Sequence, residues 1–338
     1  MRAKNFSGDS EPLSLVPERR HSVVSLFSGC GGMDLGFIGG FKSNGIYYRK
    51  NEFEVIWANE INTAACRTYR WNIGDHIYEG DICDRMQYLP GYADVVIGGF
   101  PCQDISINNK NAKGVFGKRS SLYRAMVEAV KRLQPKCFVA ENVKSLLNRN
   151  NRESLNKILR DFSEIGYNVT YKLYNAADYG VPQTRERVII VGTQCGTFFP
   201  PKPTHAKDKW ISAKSVLHSL ENHPRDEEWS HTWSLAAPGS DQGSRRLYAD
   251  RPGYTMRAEC HGNTHFHYSL PRRMTMREGA RIQSFPDDFI FKAKLRETER
   301  QIGNAVPPVF AWHIATSIDN MLKEVVPAVD IGQLELAV

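Results

Sequence analysis

The sequence predicts an α/β protein: a doubly wound sheet with a smaller, irregular second lobe. Short apolar runs of strand length alternate with helical patterns from residue 22 to residue 192. The first of these runs ends in a Gly-rich turn, Ser28-Gly29-Cys30-Gly31-Gly32, that opens a helix. From residue 196 to about 272 the periodicity fades and Pro, Gly, His, Ser and Trp accumulate, which marks the lobe.

Each element follows in order. Residues 22–27 read as a strand, with a helix beginning at Met33. A second strand over 53–58 ends at Asn59-Glu60, and 62–71 reads as a helix. Gly80-Asp81-Ile82 forms a loop. The apolar strand 94–99 runs directly into Phe100-Pro101-Cys102. Leu122, Met126, Val130 and Leu133 give a helical stripe over 121–133. Strand 137–140 leads into Glu141-Asn142-Val143, and 167–174 and 187–192 are two further strands. A helical pattern returns over 275–283, and Pro307-Pro308 opens a last amphipathic helix over 309–322. The implied layout is a polar leader (1–20), a sheet domain (21–195), a smaller lobe (196–272) and a return segment (273–338).

Composition sets bounds. Of 338 residues 41% are hydrophobic and 24% charged, as in ordinary globular chains. Lys and Arg number 44 against 37 Asp and Glu, a net charge of +7 that suits a polyanionic partner. The 7 cysteines, at 30, 66, 83, 102, 137, 195 and 260, include no Cys-x-x-Cys pair, so neither a disulfide framework nor a zinc ribbon is indicated. No apolar run approaches membrane-spanning length and the first twenty residues lack a signal-peptide core, so the expected location is cytoplasmic. His261, His265 and His267 beside Cys260 lack the partner pair of a structural zinc site, so no metal is expected.

The residues that carry chemistry gather after strands. The turn Phe27-x-Gly29-x-Gly31-Gly32 lets backbone approach a ligand, but Asp34 replaces the third glycine of a dinucleotide fingerprint, which argues against a dehydrogenase. Glu60 can accept from a ribose diol and Asp81 from an adenine amine, although either alone also suits a helix cap. Cys102 leaves the core at a Gly98-Gly99/Pro101 break and leads into a polar, Asn- and Lys-rich segment suited to a lid. Most lone cysteines are inert core residues, whereas this one stands beyond a strand end, where open α/β sheets bind ligands. Glu141 can serve as its acid partner. In Gln183-Thr184-Arg185-Glu186-Arg187, alternation puts Gln183, Arg185 and Arg187 on one face.

These blocks, in this order, resemble the cytosine-C5 DNA methyltransferase family of bacterial restriction–modification type. So do Arg273-Met-Thr-Met-Arg277-Glu278…Arg281-Ile-Gln283-Ser-Phe285-Pro286 and Gln301-Ile-Gly303-Asn304-Ala-Val-Pro307-Pro308. The match runs from about Val23 to Leu322. It implies a Rossmann-like sheet that binds S-adenosyl-L-methionine, with a target recognition domain in the lobe and a final helix returning to the first domain.

The resemblance assigns cofactor contacts to Phe27, Ser28, Gly29, Cys30, Gly31 and Gly32, to Glu60, Ile61, Asp81 and Ile82, and to Pro101, Leu122, Asn304 and Ala305. Ile61 stands where many relatives carry tryptophan. Cys102 resembles the covalent nucleophile, Glu141 the group at cytosine N3, and Arg187, with Arg185, the arginines near O2 and the thiol. The segment from Gln103 to Lys118 resembles the loop that closes over DNA. Gln103, Ser106, Lys118 and Arg119 there, and Arg245, Arg246 and Arg257 in the lobe, are the expected DNA contacts; Arg251 is a further basic candidate. The expected partner is double-stranded DNA, read by a monomer, with a possible cognate restriction endonuclease sharing the target site. Two rivals stay open: an RNA methyltransferase, which would carry a shorter lobe, and a non-catalytic DNA-binding module, which would have no chemical reason to keep Cys102, Glu141 and Arg187 together.

Overall fold

The computed structural model describes residues 20–100, 122–239, 244–258 and 264–324. In chain order the elements are β1 (His21–Leu26), α1 (Gly32–Ile38), β2 (Phe41–Ser43), β3 (Ile46–Tyr48), β4 (Phe53–Glu60), α2 (Thr63–Asn72), β5 (Ile77–Glu79), α3 (Ile82–Arg85) and β6 (Val95–Gly99). There follow α4 (Leu122–Leu133), β7 (Cys137–Val143), α5 (Arg152–Glu164), β8 (Asn168–Asn175) and β9 (Glu186–Thr193). The remainder holds α6 (Ala213–Leu217), α7 (Met276–Ile282), α8 (Leu295–Asn304) and α9 (Pro308–Glu324).

One 7-stranded sheet has the order β5-β4-β1-β6-β7-β9-β8. Strands β5, β4, β1, β6 and β7 are parallel neighbours, while β9 runs antiparallel to both β7 and β8. The sheet is therefore mixed rather than wholly parallel. The parallel strands all end on one edge, and β9, running backwards, begins there. Alternate side chains feed two cores. Val23, Val95, Ile97 and Val139 meet α1, α2 and α9 on one face; Val24, Val96, Phe138 and Ala140 meet α4 and α5 on the other.

The hairpin β2–β3, strand β5 and helices α5 and α8 were not legible in the sequence. The hairpin strands and β5 have three residues each, too few to show alternation. In α8 the buried face includes Thr298, Glu299 and Gln301, so no apolar stripe announces it. Strands β4 and β7 also run further than expected, to Glu60 and Val143. For β7 the cause is pairing with β9 as far as Val143 opposite Arg187.

Helix α9 returns from the far end of the chain to pack on α1. The approach depends on Gly36: a Cβ there would lie 2.4 Å from Ala311 Cβ and 2.6 Å from the Pro308 carbonyl. Relief would require the helices to separate. Gly36→Ala should therefore destabilise the fold by about 1–3 kcal/mol, read as a lower urea midpoint at unchanged slope. An unchanged midpoint would mean that α9 does not dock at this spacing.

Among its described residues the lobe has little regular structure, with isolated bridges in place of a ladder. Its loops are tied instead by arginines of the return segment. Arg273 donates to the carbonyls of Ala236, Ala237 and Thr264, and Arg277 to those of Trp229, Pro286 and Phe289. Arg272 forms a two-pronged pair with Glu278, both contacts 2.8 Å. Buried carbonyls must be satisfied, and a planar five-donor fork can serve several at once. Beneath them Met274, Met276, Ile282, Phe285 and Phe289 pack with Leu217 and Met256 into a third core.

Candidate active site

A cavity of about 990 Å³ opens along the sheet edge where the parallel strands end. Its first wall is the turn between β1 and α1. Phe27, Gly29 and Gly31 all have positive φ, which folds the chain back sharply enough to start α1. The Gly29 N–H donates to Glu60 Oε2 at 2.9 Å, and the Asn62 N–H to Glu60 Oε1 at 2.8 Å. Burial pushes the Glu60 carboxyl above its ordinary range, offset by these amides. Each oxygen of Glu60 keeps a lone pair for a ligand hydroxyl. Asn59 pins β4 to the next turn by donating to the carbonyls of Tyr78 and Gly80. Asp81 caps α3 by accepting from the Cys83 N–H at 2.9 Å and lines the cavity as well.

Apolar cover comes from Phe27, Ile82, Leu122 and Ile61, the last 67% exposed. Ser28, Gly32, Asn304 and Ala305 complete the cofactor candidates along the wall. Gly32 is required by crowding, since a Cβ would meet the Val306 carbonyl at 2.6 Å. Two of the described candidates do not line the cavity. The Cys30 side chain is buried in the third core, with Sγ 3.8 Å from the Gln301 carbonyl, and burial pushes its thiol far up. Gly31 faces Tyr69 and Ile73. Their part is to shape the turn, because successive residues of a tight turn point different ways.

At the other end of the cavity Glu141 meets Arg187, Nε to Oε1 at 2.7 Å, both side chains nearly buried. Register explains the meeting. Glu141 lies opposite Gly99 on β6, and Arg187 opposite Val143 on β7. A side chain at Gly99 would press on Glu141, since a Cβ would lie 3.0 Å from Oε2. Asn142 donates to the Phe100 carbonyl at 3.0 Å and so fixes the chain where it leaves β6. Pro101, Cys102, Gln103, Ser106, Lys118 and Arg119 lie outside the described residues, as do Cys260 and His261.

The expected convergence of Gln183, Arg185 and Arg187 is corrected in part. Arg185 also reaches the cavity wall, but its guanidinium is committed to the carbonyls of Met256 (3.0 Å), Gly303 (2.8 Å) and Ala305 (3.0 Å). Gln183 bonds Gln283 and the Met256 N–H. Both side chains tie the sheet domain to the lobe and to α8, because the lobe closes over the start of β9.

In the lobe, Arg245, Tyr248, Tyr254 and Tyr268 line a shallow groove of about 570 Å³. Arg245 lies over the Tyr254 ring at 5.7 Å and Arg251 over Tyr248 at 4.2 Å. Arg257 is exposed. Arg246 is exposed too, yet its Nη1 already donates to the carbonyls of His267 and Leu270. His267 is buried beside Glu278 and accepts from the N–H groups of Ser269 and Leu270. Sequence reasoning did not single out Asn142, which anchors Phe100, or Gln301, whose buried side chain belongs to the cavity wall. Both sit inside quoted motif blocks, and that was the signal available.

A family model described as C-5 cytosine-specific DNA methylase matches residues 21–239 and 240–320. The chain is 36% identical to the type II methyltransferase M.NgoFVII of Neisseria gonorrhoeae over 347 residues, covering 92% of this chain and 90% of the relative. It is 32% identical to M.BsuRI of Bacillus subtilis over 370 residues, covering 94% and 84%. The crystal structure of the S. pombe Dnmt2 methyltransferase superposes with a TM-score of 0.60 at 16% identity, covering 91% of this chain and 100% of that one, a likeness of fold. The chain belongs to the C-5 cytosine-specific DNA methylase family and is a DNA (cytosine-5-)-methyltransferase.

Proposed function

We propose that this methyltransferase modifies C5 of a cytosine flipped out of a specific duplex sequence, using S-adenosylmethionine and a covalent bond from Cys102 to C6. The observation that carries the reading is the Glu141–Arg187 pair at the inner end of the cavity, beside the end of β6 at Gly99, three residues before Cys102 in the sequence.

The cavity fits the cofactor by its donor set. The Glu60 carboxylate suits a ribose diol, Asp81 an adenine amine, and Phe27, Ile82 and Leu122 the faces of a base. When bound, S-adenosylmethionine supplies an electrophilic methyl group on a sulfonium. Cytosine C5 is too weak a nucleophile to take it unaided. Addition of the Cys102 thiolate to C6 forms an S–C6 bond and moves the C5=C6 electron pair into an enamine, so C5 becomes nucleophilic. The electron pair displaced towards N3 is met by a proton that Glu141 donates there and takes back on elimination, and Arg187 steadies Glu141 and the base oxygen. After C5 is alkylated its proton leaves to a base, the S–C6 electrons return to sulfur, and the double bond re-forms. A free thiol is only a few per cent ionised near neutrality, so Cys102 depends on a cationic neighbour, a part that suits Arg187.

Arg245, Arg251 and Arg257 are the lobe cations best placed for DNA, with Arg246 acting more through its loop. Gln103, Ser106, Lys118 and Arg119 would contact the strand around the flipped base, which must leave the stack at a cost of a few kcal/mol. A restriction endonuclease of the same specificity is the natural genetic companion, since the curated relatives are named type II methyltransferases.

The test is a trap. With S-adenosylmethionine and duplex DNA in which 5-fluorocytosine replaces cytosine, the enzyme should stall as a denaturant-stable adduct seen by mass, because fluorine cannot leave as a proton does. The adduct should vanish in Cys102→Ser. An adduct on RNA but not DNA would move the substrate, and none on either would sink the covalent mechanism.

A further inference from the structure

Three arginines stand close together in the lobe, and their side chains are committed differently. Arg246 spends Nη1 on the carbonyls of His267 and Leu270, which fastens it to its own loop. Arg251 lies over the Tyr248 ring at 4.2 Å, with Nε 3.6 Å from Asp250 Oδ1. Arg245 is exposed on the groove and lies over the Tyr254 ring at 5.7 Å, and no described residue hydrogen-bonds or ion-pairs its guanidinium. Its backbone is fixed, since its carbonyl accepts from the Phe266 N–H at 2.9 Å and the Leu247 N–H donates to the Phe266 carbonyl at 2.9 Å. An aromatic ring restrains an arginine without consuming its N–H groups, so this fork is held and still available.

The same ring ties the groove to the active site. Tyr254 follows Gly253, whose N–H donates to the Pro182 carbonyl and whose carbonyl accepts from the Thr184 N–H, both at 2.9 Å. Thr255 Oγ1 donates to the Thr184 carbonyl at 2.7 Å. These bonds seat the groove beside the residues that lead into β9 and Arg187.

We infer that Arg245 reads a guanine of the target duplex, its guanidinium donating to O6 and N7 at the major-groove edge. Those two acceptors lie side by side only on guanine, and their spacing matches the arginine fork. A phosphate could accept the same fork but carries no sequence, and Arg251 takes that part. The assignment rests on the reading of a specific duplex target above. Arg245 is thus a specificity-determining residue, seated next to the cavity that takes the cytosine.

The test reads sequence preference. Duplexes randomised around one cytosine are methylated by the full chain with S-adenosylmethionine, and the modified molecules are sequenced. The native chain should fix guanine at one position or more. Arg245→Ala, which breaks no hydrogen bond to the described residues, should relax one of those positions by roughly tenfold to a hundredfold and leave the others fixed. Arg251→Ala should slow every sequence alike. At the relaxed position 7-deazaguanine, which lacks the N7 acceptor, should slow the native chain and leave Arg245→Ala unaffected. Equal slowing of all sequences by Arg245→Ala would make it a phosphate contact, and an unchanged preference would show that it touches no base. Either result overturns the inference, as would relaxation in Arg251→Ala in place of Arg245→Ala. A native chain that methylates DNA with no preference would instead remove the reading of a specific target, and this assignment with it.

Discussion

Glu141→Gln should bind S-adenosylhomocysteine and DNA as the native chain does and yet turn over roughly a hundred- to a thousandfold more slowly, the range seen when one preorganised electrostatic partner of a transition state is removed. The substitution is nearly isosteric, so β7 and its pairing to β6 and β9 persist. What changes is charge. Arg187 loses its partner at 2.7 Å, and N3 of the target loses a group that can follow its protonation. Single-turnover methylation with radiolabelled cofactor measures the step directly. A fall in DNA affinity with an unchanged chemical rate would mean that Glu141 only seats the base. Unchanged values for both would remove it from the mechanism.

The second large effect is expected at Arg185, and it concerns the assembly of the molecule. The Arg185 side chain is 1% exposed and its fork holds three carbonyls from two separate segments, at Met256 and at Gly303 and Ala305. Lysine carries the charge but cannot span Met256 and Gly303 as the planar fork does, so one of those carbonyls loses its donor, while the Ala305 carbonyl keeps its bond from Gln283 at 2.6 Å. Arg185→Lys should therefore destabilise the protein by roughly 1–3 kcal/mol. Limited proteolysis should open the lobe around residues 244–258 before the sheet. Activity should fall in parallel with the folded fraction. A variant as stable as the native chain but inactive would show instead that Arg185 takes part in the chemistry, as its place in the motif alone suggests.

Much of the site was legible in the chain because its parts are local. The Gly-rich turn, Glu60, Asp81 and the Glu141 block each follow an apolar run, and a strand end is the one place where an α/β sheet exposes side chains to a ligand. The helix over 122–133 was readable because its stripe faces a sheet. By contrast α8 was hidden, since the residues it buries, Thr298, Glu299 and Gln301, are polar. Its burial comes from neighbours hundreds of residues away in sequence, Cys30 among them, and no window of sequence contains both.

The sequence by itself determined the sheet domain, the order of its motifs and the chemical types available at each strand end. Periodicity and turn residues act over a few positions, so one chain read in order is enough for these. Tertiary structure alone decided which of those residues meet. Strand β9 runs antiparallel, and that single reversal brings Arg187 to Glu141. Closure of the lobe over the start of β9 then commits the side chains of Arg185 and Gln183 to hydrogen bonds in the seam. The two arginines stand two residues apart in sequence, Arg185 just before β9 and Arg187 near its start. Their different fates follow from what packs opposite each, a carboxylate in one case and a row of backbone carbonyls in the other.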